Sequence, residues 1–369
     1  MIPFFSLIVA CCDVEPFVEE CLRSLLDQPF RDWECLIGIE ESKDRTEEVI
    51  RKLTAGDPRF RIFTGPRSGS CSAPRNTGID MAEGEYVIFL DGDDTLAEGS
   101  LARIHDMICE RPGADLYPCA IVTRDKLGGK DEIRDNYRSD APAELNGIEA
   151  SLYLAKHWQG AFCPMLQLSV HRRAFLVEHD LKCIHGLRNQ DSEFSPRALY
   201  YAKRVVPLHE PFYIYLIHEN SVQGQARGLN YFKKDKDWAV ITGSLIDFYS
   251  RVSKEPGFDP RLTPCWIQQW LSRMNLRWFH PATVKALPRE RRAETLKTVF
   301  ANGFDAYREM LKHGSRAQRI AGFWVRMFVQ HPSLRWASDL FFRLYFHLME
   351  RTKNPGSAQQ KGFRSEVPQ

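Results

Sequence analysis

Three carboxylates stand within four positions, directly after a run of apolar residues. The run at 86–90 predicts a buried strand of a parallel sheet. Asp91, Asp93 and Asp94 follow it, and Gly92 allows a tight turn between them. Crowded carboxylates repel one another, so a cation is the natural way to hold them together, and Mg²⁺ or Mn²⁺ suits such oxygen ligands. The ordinary alternative is a polar turn in which Asp94 or Thr95 caps the next helix.

The elements around this turn must bring it to a ligand-binding edge. Apolar runs predict strands at 5–10, 33–39, 60–63 and 86–90, and helical periods predict helices at 15–26, 46–53 and from 73 onward. This alternation implies right-handed crossovers and a doubly wound, mainly parallel sheet. Ligands bind outside the carboxyl ends of the strands in such sheets. The third helix contains Gly78, which we expect to permit close packing of that helix on a strand.

Composition indicates an ordinary globular protein. The 369 residues are 43% hydrophobic and 27% charged. Ten scattered cysteines without a Cys-x-x-Cys pair predict reduced thiols in a reducing compartment. The N-terminus has no basic leader, and no apolar stretch reaches the roughly 18–20 residues needed to span a bilayer. We therefore expect a cytoplasmic location.

Charge divides the chain. Residues 1–225 hold 25 Lys and Arg against 36 Asp and Glu, whereas residues 226–369 hold 25 against 12. Such a split suggests two functional parts, the second facing something anionic. We predict a catalytic domain over 1–225, a helical, basic region over 226–352 and a disordered tail over 353–369.

The basic region contains a segment with a helical period. Charged or polar residues recur every four positions over 335–348, and apolar ones such as Trp336, Phe341 and Tyr345 lie between them. The pattern predicts an amphipathic helix with a broad aromatic face. This helix either packs on the catalytic domain or lies in the plane of an anionic membrane, which would make the protein peripheral at the inner face of the cell membrane.

Several motifs occur in a recognisable order: an acidic turn ending in Ser42-x-Asp44, then Arg75-Asn-x-Gly-Ile, Phe89-Leu-Asp-x-Asp-Asp, Asn189-Gln-Asp-Ser-Glu-Phe and the strand-like segment at 211–221. This order resembles the family 2 glycosyltransferases, which have the nucleotide-diphospho-sugar transferase (GT-A) fold. The resemblance covers residues 1–220. It implies an α/β, Rossmann-like GT-A domain, here followed by the helical C-terminal region.

The resemblance also implies roles for individual residues. Asp191 would be the general base that deprotonates an acceptor hydroxyl, with Glu193 as the alternative if the register is shifted by two. A divalent cation, Mn²⁺ or Mg²⁺, would neutralise the departing diphosphate, and its ligands would be Asp91, Asp93 and His218. The alternative for His218 is a polar loop histidine that binds no metal. The nucleotide would contact residues at the ends of the first strands and the start of the third helix: Ala10, Asp13, Glu40 or Glu41, Arg75 and Asp91.

The reaction implied is transfer, with inversion, of a hexosyl or N-acetylhexosaminyl unit from a nucleotide-diphosphate donor. A UDP-sugar is the expected donor, and a glycan or lipid-linked hydroxyl is the expected acceptor, in synthesis of a bacterial surface polysaccharide. We expect no nucleic-acid partner.

This chain departs from the family pattern at several positions. Asp13 replaces the usual Asn, Glu40-Glu41 replaces a paired Asp, and Gln190 replaces the Glu that precedes the base. These changes keep open a non-catalytic protein that binds nucleotide sugars or acts as a membrane scaffold. A sugar-nucleotidyltransferase is a weaker alternative because residues 11–15 do not form the Gly-rich phosphate loop that class needs.

Overall fold

The computed structural model describes residues 2–128, 131–158, 166–219, 221, 235–263, 265–266, 276–279, 284–285, 287–300, 311–312 and 316–352. The chain divides into two compact units, Met1–Cys265 and Trp266–Gln369. The predicted tail at 353–369 lies outside the described residues.

The described residues of the first unit form ten strands: β1 (Phe5–Cys11), β2 (Trp33–Glu40), β3 (Phe60–Gly65), β4 (Tyr86–Asp91), β5 (Thr95–Leu96), β6 (Leu116–Pro118), β7 (Ala120–Asp125), β8 (Glu132–Arg134), β9 (Ser169–Arg172) and β10 (Pro211–Ile217). They form a six-stranded sheet in the order β3-β2-β1-β4-β9-β6 and a four-stranded sheet in the order β5-β10-β7-β8. Strands β3, β2, β1 and β4 are parallel, and β9 is antiparallel to β4 and β6.

The helices described in the first unit are α1 (Glu15–Leu26), α2 (Thr46–Thr54), α3 (Ser72–Met81), α4 (Ser100–Glu110), α5 (Gly147–Trp158), α6 (Arg173–Glu178), α7 (Asp191–Tyr201) and α8 (Asp235–Val252). Those described in the second unit are α9 (Leu276–Phe279), α10 (Arg289–Phe300), α11 (Arg316–Gln330) and α12 (Arg335–Thr352). Short 3₁₀ turns occur at Leu166–Leu168 and Pro332–Leu334. No helix within the described ranges is long and apolar enough to cross a membrane.

The large sheet confirms the predicted doubly wound, mainly parallel architecture. Every residue of β1 and β2 is buried, because helices cover both faces of the sheet and the strands are apolar on both sides. Ala10 lies opposite Asp91 on one neighbouring strand and opposite Gly38 on the other. The carboxyl ends of these strands therefore meet at one edge, as the sequence predicts.

The first unit extends beyond the charge boundary at residue 225. Helix α8 packs on α7, where the Ser244 hydroxyl donates to Glu193 at 2.8 Å. The hydroxyl of Tyr200 also donates to Glu255 at 2.9 Å. These contacts keep residues up to Cys265 in one unit, so the division at 225 remains a prediction from charge alone.

Helices in the second unit share a small aromatic core, which confirms the predicted helical C-terminal region. The ring of Phe279 stacks on Phe342 at 4.0 Å and meets the edge of Phe328 at 4.8 Å. Arg292, which is 1% exposed, forms ion pairs with Asp339 beside these rings. A buried cation paired with a carboxylate and flanked by aromatic faces fixes α10 against α12.

Cysteines add no cross-links in the part of the chain that the structure describes, where all nine are free thiols. The tenth, Cys163, lies outside the described residues. Most are buried, and burial raises the pKa of the Cys71 thiol to about 12. These cysteines therefore behave as small apolar side chains within the packed core.

Gly78 lets α3 lie close to β1. A Cβ atom at this position would lie 2.4 Å from Cγ2 of Ile8, well inside van der Waals contact. We predict that Gly78→Ala lowers the free energy of unfolding by about 1–2 kcal/mol, since overpacking outweighs the gain in helix propensity. Gly65→Ala is the matched control, because open space surrounds that glycine. Equal chemical-denaturation midpoints for the two variants would contradict the close-packing role.

Candidate functional site

A buried guanidinium holds the first carboxylate of the acidic turn. Nη2 of Arg75 donates to Oδ1 of Asp91 at 2.5 Å, and Nε2 of Gln167 donates to Oδ2 at 2.7 Å. Arg75 is 2% exposed. Burial opposes the charge of Arg75, but Asp91 together with Cys71, Cys183 and Tyr213 outweighs burial and raises the pKa of Arg75. Both oxygens of Asp91 therefore accept a hydrogen bond, and a metal bound by Asp91 would use a remaining lone pair.

The same guanidinium reaches the helix that carries the predicted base. With its amide oriented so that both atoms are satisfied, Gln190 accepts from Nη1 of Arg75 at 2.5 Å. Its nitrogen then donates to the carbonyl oxygen of Leu187, also at 2.5 Å. Gln190 directly precedes Asp191, the first residue of α7. Arg75 thus connects the end of β4 to the N-terminus of α7.

Asp93 faces a histidine from the end of the second sheet. Nε2 of His218 lies 3.0 Å from Oδ2 of Asp93, and the imidazole lies against the ring of Phe17 at 4.1 Å. The backbone N–H of His218 donates to the Ser221 hydroxyl. Asp93 and His218, which the sequence predicts as metal ligands, are in direct contact, and the ring of Phe17 packs against the imidazole. Their role as metal ligands stays a prediction.

Asp94 has a structural position. It is 1% exposed, and its carboxylate accepts from the Tyr213 hydroxyl at 2.5 Å and from the Leu216 backbone N–H at 2.8 Å. Burial, together with the charges of Asp93 and Asp91, raises the pKa of Asp94 well above its usual range. This residue anchors β10 to the turn after β4, and it does not cap a helix.

Two residues at the end of β1 have different environments. Ala10 is part of the strand itself, next to Asp91 in register. Asp13 adopts a left-handed conformation with φ of 52°, which an aspartate tolerates better than most residues. Its carboxylate accepts from Nη2 of Arg67 at 2.5 Å and from the Lys43 N–H at 2.7 Å. These hydrogen bonds hold the pKa of Asp13 below its usual value.

The two glutamates at the end of β2 lie in different surroundings. Glu40 is 4% exposed and accepts a hydrogen bond from the Ser68 hydroxyl. Glu41 is exposed, and its backbone N–H donates to the carbonyl oxygen of Gly65 at 3.0 Å. Glu40 therefore orders the loop after β3, while the carboxylate of Glu41 faces outward.

At the start of α7, Asp191 and Glu193 are clearly distinguished. Asp191 is half-buried, and its Oδ1 accepts from the Ser192 N–H at 2.8 Å. Glu193 is 1% exposed and is held by two hydrogen bonds from Arg197 and one from Ser244. A carboxylate so fully paired is a structural group, which favours Asp191 as the residue that a ligand could reach.

The arrangement offers a partial set of metal ligands. A carboxylate oxygen and an imidazole nitrogen are both suitable for Mn²⁺, and Asp93 and His218 bring them within 3.0 Å of each other. Within the described ranges no cluster of three or more His, Cys, Asp or Glu side chains has the geometry of a metal site. Divalent cations that act on nucleotides commonly take one or two protein ligands and complete their shell with phosphate oxygens and water. Asp93 and His218 fit that role.

Sequence reasoning missed three side chains that shape this site. Gln167 contacts Asp91 across 76 positions, Arg67 contacts Asp13 across 54, and Tyr213 contacts Asp94 across 119. Gln167 and Arg67 lie outside the motifs, and Tyr213 lies in the strand-like segment at 211–221 without a local signal for its contact with Asp94. Within the part of the chain that the structure describes, Oε1 of Gln167 and Nε of Arg75 are buried without a hydrogen-bond partner. The cluster therefore retains one unused acceptor and one unused donor next to Asp91.

Comparison with known families gives one match to this part of the chain. The sequence model described as Glycosyl transferase family 2 matches residues 6–174. This range includes β1 to β4, the acidic turn, Arg75 and Gln167.

Curated relatives match over the same part of the chain. An uncharacterized glycosyltransferase, EpsJ of Bacillus subtilis, is 31% identical over 226 residues, which are 60% of this chain and 63% of that protein. The GalNAc(5)-diNAcBac-PP-undecaprenol beta-1,3-glucosyltransferase of Campylobacter jejuni is 32% identical over 103 residues, which are 28% of this chain and 33% of that protein. The chain spans less than two thirds of the length of either relative.

Among solved structures, the fold is similar to that of Staphylococcus aureus TarS, residues 1–349. The TM-score is 0.67 at 17% identity, and the match covers 88% of this chain and 87% of that one. TarS in complex with UDP-GlcNAc gives a TM-score of 0.64. Identity this low speaks for the fold alone.

The buried pair predicts strong energetic coupling. Without nucleotide or divalent cation, Arg75→Met should lower the free energy of unfolding by about 3–5 kcal/mol, because it leaves Asp91 without its cation. Asp91→Asn should lower the free energy of unfolding less in the Arg75→Met variant than in the wild-type protein. The difference is the coupling energy of the double-mutant cycle, which we expect to be about 2–3 kcal/mol. The exposed pair Glu47 and Arg51 is the matched control, with a coupling close to zero. Additive effects at Arg75 and Asp91 would show that the pair does not hold the site together.

Proposed function

Because the sequence model described as Glycosyl transferase family 2 matches residues 6–174, we propose that the protein is an inverting glycosyltransferase. It moves a sugar from a nucleotide-diphosphate donor to a hydroxyl group of a glycan or lipid-linked acceptor. One observation carries the proposal: Arg75 joins Asp91, at the ligand edge of the sheet, to Gln190, which precedes Asp191. Donor-side and base-side groups are thereby held in one site.

The donor is proposed to be a UDP-sugar of the hexosyl or N-acetylhexosaminyl type. The fold similarity to TarS, which has been solved with UDP-GlcNAc, supports this choice. Asp13, Glu41 and Ala10 lie at the carboxyl ends of β1 and β2, where a nucleotide binds in sheets of this kind. The unused acceptor Oε1 of Gln167 lies beside Asp91, and a hydroxyl of the donor could donate to it.

The acceptor is proposed to be part of a bacterial surface polysaccharide under assembly. Among the relatives, the Campylobacter jejuni enzyme is named for an undecaprenol-linked glycan. A lipid-linked acceptor would bring the protein to the inner face of the cell membrane, as a peripheral protein working from the cytoplasm. A sugar polymer released into water would require no such location.

The chemistry assigned to the chain's own residues is a direct displacement. Asp191 accepts the proton of the acceptor hydroxyl while the oxygen of that hydroxyl attacks the anomeric carbon. The nucleoside diphosphate leaves from the opposite face. This single displacement inverts the anomeric configuration. Arg75 keeps α7 in register with the donor side through Gln190. A divalent cation held by Asp93 and His218 would, when bound, neutralise the charge of the leaving diphosphate.

Metal and donor should bind together. We predict that EDTA abolishes transfer and that Mn²⁺ or Mg²⁺ restores it. UDP with Mn²⁺ at 100 times its Kd should stabilise the wild-type protein by about 2.7 kcal/mol, and Asp93→Asn should lose most of this gain. Thermal unfolding measures both effects. Asp106→Asn, at an exposed carboxylate, is the matched control and should retain the full shift. Transfer by Asp93→Asn that is undiminished in chelator would rule out the metal role.

Substitution of the proposed base should slow sugar transfer and leave donor binding largely unchanged. We predict that Asp191→Asn retains affinity for UDP-sugar within a few fold but transfers roughly 10²–10⁴ times more slowly, the range for general base catalysis. Glu193→Gln should instead lower the unfolding temperature, because it breaks a buried pair with Arg197. Product NMR should show an inverted anomeric configuration.

Other outcomes would separate the alternatives. Normal transfer by Asp191→Asn, with loss of transfer in folded Glu193→Gln, would move the base by two residues. A retained anomeric configuration would exclude single displacement. Nucleotide-sugar binding without transfer to any lipid-linked acceptor would favour the non-catalytic, sugar-binding scaffold.

A further inference from the structure

Exposed apolar side chains concentrate on two helices of the second unit. Trp336 is 58% exposed and Leu344 is 56% exposed, and such residues are informative when they cluster into a patch. Six large apolar residues within the described ranges share this exposure and lie on α11, α12 or the turn between them: Ile320, Phe323, Leu334, Trp336, Leu340 and Leu344.

On α12, these residues form one stripe. Trp336, Leu340 and Leu344 are four positions apart, so they lie on one side of the helix, away from the buried Ser338 and Phe342. The sequence predicted Phe341 and Tyr345 as apolar contacts, but both are half-buried and Phe341 packs within the unit. The exposed stripe is therefore rotated from the predicted aromatic face.

The stripe continues onto α11. Trp324 stacks on Phe341 with ring centroids 5.3 Å apart, and Phe323 contacts the edge of Trp324 at 5.6 Å. The exposed residues of both helices thus flank one stacked pair. We call this surface, made of Ile320, Phe323, Trp336, Leu340 and Leu344, the α11–α12 face.

Cations surround the α11–α12 face. Residues 316–352 contain six arginines against two acidic residues. Arg319, Arg326 and Arg343 are exposed. Of the two acids, Asp339 is already paired with Arg289 and Arg292. The apolar residues are therefore bordered by positive charge.

We propose that the α11–α12 face docks onto an anionic lipid bilayer, with α11 and α12 lying in its plane. Exposed Trp, Phe and Leu bordered by arginine is the composition of interfacial helices, and anionic headgroups complement the charge. A second copy of the chain fits less well, because a symmetric contact would place the same arginines against each other. The docking itself is argued from exposure and charge. Its biological role, access to a lipid-linked acceptor, rests on the proposed function.

Sedimentation with vesicles tests this docking on the full-length protein. Vesicles of phosphatidylcholine alone are compared with equimolar phosphatidylcholine and phosphatidylglycerol, at low and high salt. We expect binding to the anionic vesicles only, and weaker binding at high salt because surface charges are screened. Replacing Arg319, Arg326 and Arg343 by Gln should lower the partition coefficient on the order of 100-fold at low salt.

A second variant tests the apolar part. Trp336→Ser with Leu340→Ser should reduce binding at both salt concentrations, because both side chains are exposed and their loss leaves the packed core intact. Val177→Ser, at an apolar residue in the first unit that is 58% exposed, and Lys203→Gln are the controls and should bind as the wild type does. UDP-dependent thermal stabilisation should be unchanged in every variant.

Three results would overturn the proposal. The first is wild-type protein that stays in the supernatant with anionic vesicles at low salt. The second is unchanged binding by both face variants. The third is binding to native membranes but not to protein-free vesicles, which would point to a protein partner. Vesicle binding by a protein that neither binds UDP nor transfers sugar would instead leave this inference standing while the proposed function fails.

Discussion

The buried charge of Arg75 is the constraint on which the site depends. A guanidinium removed from water must be neutralised where it lies, and Asp91 supplies the matching charge at 2.5 Å. Nη1 of Arg75 donates to the neutral amide of Gln190, so the cluster contains one positive and one negative group. Close packing of α3 on β1, permitted by Gly78, sets how far the arginine can reach. The end of β4 and the N-terminus of α7 consequently cannot shift independently.

The second sheet completes what the first sheet begins. Strand β10 brings Tyr213 and the Leu216 amide to Asp94, and it ends where His218 meets Asp93. The acidic turn thus has three different surroundings for three carboxylates: an arginine and a glutamine, a histidine, and a tyrosine with a backbone amide. Their different roles follow from these partners, because the local sequence offers the same side chain three times.

Local patterns were sufficient for the central strands and helices and for the acidic turn. Residues 86–90 are recognised as a continuous apolar run and residues 15–26 by the helical spacing of their apolar residues. The carboxylates are recognised because they are close together in sequence. Gln167 and Arg67 could not be found this way, since each acts through a contact between distant positions with no local signal. The short strands of the second sheet escaped for the same reason. On α12 the helical period is predicted correctly but the exposed side of the helix is not, because tertiary packing determines which aromatic residues are buried.

The anchoring of Asp94 by β10 has a consequence for biosynthesis. The carboxylate and the Leu216 amide that binds it are 122 positions apart, so the chain leaves the ribosome with the acidic turn long before its partners exist. Until β10 emerges, the three neighbouring carboxylates repel one another in water and strand β4 lacks part of its support. Nascent chains that pause before residue 211 therefore carry an incomplete sheet edge, and completion of the site is one of the last events in the synthesis of the first unit.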